Sequence, residues 1–213
     1  MEPSSREKIL EVAEARFAKR GFAGVGMREV AQAAGLGKSS LFHHFPSKAV
    51  LYGAVLERVI GRIEAHLLPA LSREGRAEQR LDAAVDALVD SLSEHPSTAR
   101  LLLRTLFEDE QLAEPSSFAV VEARVHALVG AFVSLLSAGA EAGELRAGAP
   151  AHAVQALIGA AVYHFASGEF GDAVLGRPVF SADAVAAYRR ELKQLLRSGL
   201  VGPRAPSKEN APS

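Results

Sequence analysis

Arg28, Lys38, Ser39, Ser40, Phe42, His43, His44 and Lys48 bring basic, hydroxyl and aromatic side chains into one stretch, Gly26 to Lys48, GMREVAQAAGLGKSSLFHHFPSK. These residue types suit contact with a nucleic acid. Lysine and arginine neutralise phosphate or pair with guanine O6 and N7, hydroxyls hydrogen-bond to phosphate oxygens, and a phenyl ring packs on sugar or a thymine methyl. No catalytic constellation competes with this reading. Gly37-Lys38-Ser39 spells the end of a phosphate-binding P-loop, but the position that loop needs as its first glycine is Gln32, and no strand precedes it. GxSxG, HExxH and EF-hand patterns are missing, and with no cysteine there can be no disulfide, thiolate metal site or cysteine nucleophile. His66, His126 and His164 fall on three different predicted helices without ligand spacing, so no metal and no cofactor is expected.

Those side chains need elements to aim them. Met27 to Ala34 predicts a short helix with Val30, Ala31 and Ala34 on its apolar face. Gly35 stands where a left-handed C-cap is needed, and Leu36 plugs the core from the turn. Ala31 is small, as a close helix crossing requires. Lys38 to His44 predicts a second helix with Leu41 and Phe45 inward, leaving Lys38, Ser39, Ser40, Phe42, His43 and His44 outward or flanking. Pro46 closes the segment, and Ser47 caps a new helix from Lys48. This is a helix-turn-helix whose second helix has the size and side chains to enter a DNA major groove.

With the preceding AEARFAKRGF and the apolar helix that follows, the stretch resembles the N-terminal DNA-binding region of the TetR family of bacterial transcriptional regulators. The resemblance covers roughly the first fifty residues and rests on Gly21-Phe22, Arg28, Ala31, Gly35, Leu41, Phe45 and Lys48. It implies base or phosphate contact by Arg28 and backbone contact by Ser40, His44 and Lys48, while Lys38, at the start of the second helix, suits either guanine or phosphate. Gly37, Ser39, Phe42 and His43 complete the candidate DNA-binding set. Three positions depart from the family pattern. Gly26 and Gly37 stand where Ser or Thr is usual, and Phe42 lacks a common phenol, so anchoring shifts toward main-chain N–H groups, Lys38 and Lys48.

The chain has 213 residues, and its net charge of −1 hides an asymmetry. Through Lys48 there are eight Lys and Arg against five Asp and Glu; after it, sixteen against twenty. A basic head and an acidic body fit a face directed at phosphate. The most apolar stretch, Ala153 to Ala166, is too short to span a bilayer, and no basic-plus-apolar leader opens the chain, so a cytoplasmic protein without a membrane partner is expected. Leu, Ala and Val periodicity predicts an all-α fold of about nine helices: a three-helix head over 1–48, a larger helical ligand-binding and dimerisation domain over 49–199, and a Pro- and Ser-rich disordered tail over 200–213. Glu169 to Phe180 reads as irregular, with glycine and proline breakers. His66, Arg104, Glu122, His126 and His164 are the polar side chains expected to face a largely apolar pocket.

The resemblance further implies a homodimer formed through the last two long helices, a palindromic double-stranded DNA operator and a small hydrophobic inducer. A ligand-independent architectural or division regulator of the same fold, and an enzyme carrying a vestigial head, are the alternatives.

Overall fold

The computed structural model describes residues 4–108, 115–146 and 148–200. Among these residues the regular structure is all α-helix, with no strand and ten helices: α1 (Ser5–Arg20), α2 (Met27–Ala33), α3 (Lys38–His44), α4 (Lys48–Ser72), α5 (Ala77–Ser93), α6 (Pro96–Glu108), α7 (Pro115–Glu141), α8 (Pro150–Ala166), α9 (Glu169–Leu175) and α10 (Ala182–Leu200).

Local chemistry sets most of the boundaries. Ser4 and Glu7 form a reciprocal capping box at the start of α1, each side chain bonded to the other's backbone N–H. Gly21 ends that helix with φ 69°. Ser47 accepts a hydrogen bond from Val50 N at the start of α4. At 25 residues α4 is about 37 Å long, and it runs past Pro69. A proline in the last turn removes one amide bond near a fraying end, where the loss is small.

The segment Glu169–Phe180 is the clearest departure from expectation, since it contains α9. Gly168, just before the segment, and Gly176 bound the helix, and Gly171 lies within it. Gly168 (φ 57°) precedes the first turn, and Gly176 (φ 67°) is a left-handed C-cap whose N–H bonds to Asp172 O. The acidic loop after α6 and the tail beyond Leu200 lie outside the described residues.

One apolar cluster runs from Ile9 in α1 to Leu192 in α10, so head and body share a continuous core. α4 is its axis, packed on α1, α5 and α7. At the head end, Tyr52 is fully buried, with its ring 4.9 Å from Phe17 and 5.3 Å from Phe22, both edge-to-face. Phe22 thus folds back onto the head as its position after Gly21 predicts.

Among the described residues, α7 is the helix both long and apolar enough to cross a membrane. Its span Ala119–Glu141 reaches a mean hydropathy of 1.7, with 22% of that window buried. Its open face carries small residues, including Ala123, Ala127, Gly130 and Ser134, together with Glu122 and His126. The other side packs on α4, α5 and α8, and Arg124 makes a bidentate ion pair with Glu64 of α4. These features are those of a bundle helix.

A buried carboxylate joins the two halves. Glu14 of α1 is 5% exposed and lies between α4 and α6. Arg62 donates to both of its oxygens (3.0 and 2.5 Å), Ser97 Oγ donates to Oε1, and Arg58 Nε stands 3.9 Å from Oε2. Burial pushes the Glu14 pKa up, but the hydrogen bonds from Arg62 and Ser97 and the charges of Arg62 and Arg58 outweigh it, leaving the carboxyl below its ordinary value. The stability this provides is present above the unfolded value near 4.5 and is lost as pH falls through the lower, folded value. Between neutrality and pH 3 the melting temperature of Glu14→Gln should therefore fall less steeply than that of the wild type. Parallel acid melting curves would contradict this.

Candidate nucleic-acid interface

The turn between α2 and α3 is built from three backbone features. Gly35 has φ 68°, its N–H bonds to Gln32 O (3.1 Å), and Leu36 N–H reaches back to Ala31 O (2.9 Å). The last is the six-to-one bond of a Schellman turn. Val30, Ala31, Leu41 and Phe45 are buried beneath it and partly buried Leu36 packs against them, as their spacing predicts. Glu29 ties α2 to α1 through Arg16 and Arg20, the second at 2.6 Å. The hydrogen bond from Arg20, with both arginine charges, holds the Glu29 carboxyl below its ordinary pKa despite a small desolvation penalty. Two of the head's arginines are thereby neutralised, while neighbouring Arg28 is exposed.

On α3, Lys38, Ser39 and His43 are exposed, and Ser40, Phe42 and His44 are half-buried. Neither Gly26 nor Gly37 supplies a side-chain cap, so first-turn amides of α2 and α3 are not met by a hydroxyl at the N-cap. Phe42 packs against the core edge, with Lys38 Nζ 5.5 Å from its ring centre. His43 and His44 sit edge-to-face, 5.5 Å apart.

Lys48 is more engaged than its sequence position suggests. Its Nζ donates to Phe22 O at 2.9 Å and lies 4.4 Å from the Phe22 ring centre. The ammonium therefore cements the start of α4 to the α1–α2 connection. Arg6 stands 5.4 Å from the ring of Phe45, which caps the C-terminus of α3. Periodicity gives no sign of this, because Arg6 belongs to α1 and meets α3 only in the fold.

The five polar side chains expected around a pocket are not brought to one place. His66 Nε2 pairs with Glu94 at 3.4 Å. Arg104 donates to the carbonyls of Ala18 and Lys19 at the end of α1, both at 3.2 Å. Glu122 and His126 are exposed on α7. The His164 ring stacks on Tyr188 of α10 at 3.7 Å and 9°. Neither His164 Nε2 nor the Tyr188 hydroxyl finds a hydrogen-bond partner among the described residues. Burial lowers the pKa of His164 and raises that of Tyr188, so this seam is uncharged at neutral pH.

Glu14 and Arg62 are absent from any list built on motif spacing. The available signal was Glu14's place between Leu10, Ala13 and Phe17, on the apolar stripe of α1. A charge there must find partners when the helix is buried.

The model of bacterial regulatory proteins of the tetR family matches residues 9–55, which span α1 to the first turns of α4. The transcriptional activator FasR of Mycolicibacterium smegmatis is 36% identical over 132 residues, 62% of this chain and 58% of its own length. The match therefore spans little more than half of that relative. The transcriptional repressor KstR2 of Mycobacterium tuberculosis is 28% identical over 67% of this chain and 70% of its own length. Among solved structures, AibR in complex with isovaleryl coenzyme A and operator DNA superposes with a TM-score of 0.74 at 18% identity, covering 90% of this chain and 97% of AibR. Residues 9–55 thus carry the DNA-binding region of the bacterial regulatory proteins of the tetR family, and the full-length likeness to AibR shows that the whole chain shares its helical fold.

Proposed function

We propose that this chain is a DNA-binding transcriptional regulator: a two-fold dimer whose paired α3 helices enter successive major grooves of a palindromic operator, released by a small, largely apolar inducer. The observation that carries it is the head. A rigid α2–turn–α3 unit holds Arg28, Lys38, Ser39 and His43 outward, while Glu29 locks α2 to α1 from behind. In this reading Arg28 and Lys38 reach bases or phosphates. Gly37, Ser39, Ser40, His43, His44 and Lys48 follow the backbone, and Phe42 offers the exposed part of its ring to sugar or a thymine methyl. The body has no catalytic role. Residues 1–48 form the reading head and 49–199 the sensing and pairing domain, with α4 shared between them.

Pairing is supported by the outer surface of the last helices. Tyr163, Phe170, Val174, Leu175 and Leu195 are all large, apolar and exposed, and they lie on α8, α9 and α10. Relatives of both regulatory signs, FasR the activator and KstR2 the repressor, match this chain. Repression is our reading because a head released by ligand vacates its site. An inducer held between α4, α5, α6 and α7 would act by favouring one tilt of α4 over another. The coupling is reciprocal: the operator must weaken inducer binding by the same factor.

Selection of sites from a random duplex pool tests this reading. The wild type should enrich a palindrome and bind it at least 10³-fold tighter than scrambled duplex at physiological salt. Equal binding to both would refute it. On the selected site, Arg28→Ala should cost about 1–3 kcal/mol more than on scrambled DNA if Arg28 reads a base. Lys48→Met should weaken both about equally and flatten the salt slope by roughly one unit. It should also lower the melting temperature, because it frees Phe22 O. A wild-type salt slope for Lys48→Met would reassign Lys48 to structure alone. Screening hydrophobic compounds should yield one that both raises the melting temperature and releases the selected duplex; a compound that stabilises without release would separate binding from regulation.

A further inference from the structure

Head and body meet mainly across α1, which packs on both α4 and α6. Apolar contacts such as those of Phe17 and Tyr52 hold these helices together, but they are non-directional and tolerate sliding. Directional ties add an angle to them. Glu14 receives hydrogen bonds from Arg62 of α4 and Ser97 of α6, and Arg62 Nη2 lies 3.4 Å from Thr98 Oγ1. Farther along α6, Arg104 takes the last carbonyls of α1. Ser97 and Arg104 are about 10 Å apart along α6, and Glu14 and Ala18 about 6 Å apart along α1. Two points on each helix define an angle between them.

The two ties differ in kind. Arg104 holds backbone carbonyls, which any residue at Ala18 or Lys19 would present. Glu14 is a side chain facing two guanidiniums of one helix, Arg58 and Arg62, whose side chains are 34% and 18% exposed. Arg58 Nη1 and Arg62 Nε are buried without a partner among the described residues, so donors already exceed acceptors there. Without the carboxylate, two half-buried like charges would face α1 with nothing to draw them toward it.

We propose that Glu14 is a positioning residue for DNA recognition: by accepting from Arg62 of α4 and Ser97 of α6 at once, it fixes the angle of the head on the body and so the separation of the paired α3 helices. The inference rests on the regulator reading above. Glu14 touches no DNA in it. Any displacement of α6 must either carry α1 along or break the Ser97 bond.

The chain has no cysteine, so Gln32→Cys, exposed on α2, places one spin label on each head of the dimer. Inter-label distances measured without DNA should be narrow in the labelled parent and broadened in Glu14→Gln. Operator affinity should fall at least tenfold while the salt slope stays unchanged, because the phosphate contacts are the same. Ser97→Ala, which leaves the Arg62 pair intact, should act in the same direction by about threefold and add nothing in the Glu14→Gln background. It also keeps the proposal testable if Glu14→Gln does not fold. Parent-like distances and affinity in the folded variants would overturn the proposal, as would an affinity loss that only tracks the unfolded fraction. If the wild type selects no duplex, the regulator reading fails, and the distance measurement still decides whether Glu14 sets the head angle.

Discussion

Replacing Ala160 with glutamate is expected to turn a dimer into folded monomers and to weaken operator binding by about 10²- to 10⁴-fold. Ala160 and Gly159 are exposed on α8, and nothing lies within 4 Å of where a Gly159 Cβ would sit, so the protomer has room for the new side chain. A twin helix packed on that face leaves no space to solvate the charge. Each head alone engages one half-site and loses the effective concentration that its partner supplies. Sedimentation should give half the wild-type mass with unchanged helicity and melting of the protomer. A variant that remains dimeric would move the pairing surface off α8.

The second large effect is on folding. Tyr52→Ala should destabilise the protein by about 3–5 kcal/mol, lowering the melting temperature by on the order of 10 °C. Tyr52 is fully buried, and its ring is the surface on which both Phe17 and Phe22 rest. Tyr52→Phe keeps that ring and removes only the hydroxyl, which lies 3.4 Å from Thr105 Oγ1. It should cost no more than about 1 kcal/mol. Thermal melts of the pair separate aromatic packing from hydrogen bonding; equal losses would place the energy in the hydroxyl. Because the aromatic group joins α1, α4 and the α1–α2 connection, Tyr52→Ala should also loosen the head.

The helix-turn-helix was legible because its determinants are local. Gly35, Ser47 and the Ser4–Glu7 box each act within four residues, and periodicity places Val30, Leu41 and Phe45 inward without knowledge of the rest of the fold. The α3 bounds agree with the expected Lys38 to His44. Reading failed where one residue type serves opposite ends. Gly176 looked like a breaker, yet it adopts positive φ as the C-cap of α9, and Gly168, expected to close α8, adopts positive φ as the N-cap of α9. Gly171 lies inside that helix because a Cβ there would come 2.0 Å from Ser167 Oγ and 2.9 Å from a Val179 methyl.

Polar partners were beyond reach for a different reason. Arg104 finds Ala18 O 86 residues away, and Arg62 finds Glu14 48 residues away. Sequence pattern says that a side chain faces inward; it does not say what meets it. Arg104 and His164 were expected to face a pocket, whereas their places as a clamp on α1 and a stacking partner of Tyr188 depend on tertiary placement.

Helix α10 lies antiparallel to α5 and is joined to it by a row of charges. Arg189 meets Asp86 and Asp90, Lys193 meets Asp86 at 2.6 Å, and Arg197 meets Asp82. The cations recur every four residues, as do the acids, so the row works like a rack and pinion with a pitch of one helical turn. Rolling α10 about its own axis would lift every tooth at once. Sliding it by one turn would re-engage all but the end one. The row therefore dictates azimuth far more strictly than axial position. Leu195, 70% exposed, is held pointing away from α5 even where the two helices shift lengthwise. In the proposed dimer a twin protomer would meet the same face of α10 in every such position, so lengthwise play between α10 and α5 would leave the two-fold seam undisturbed.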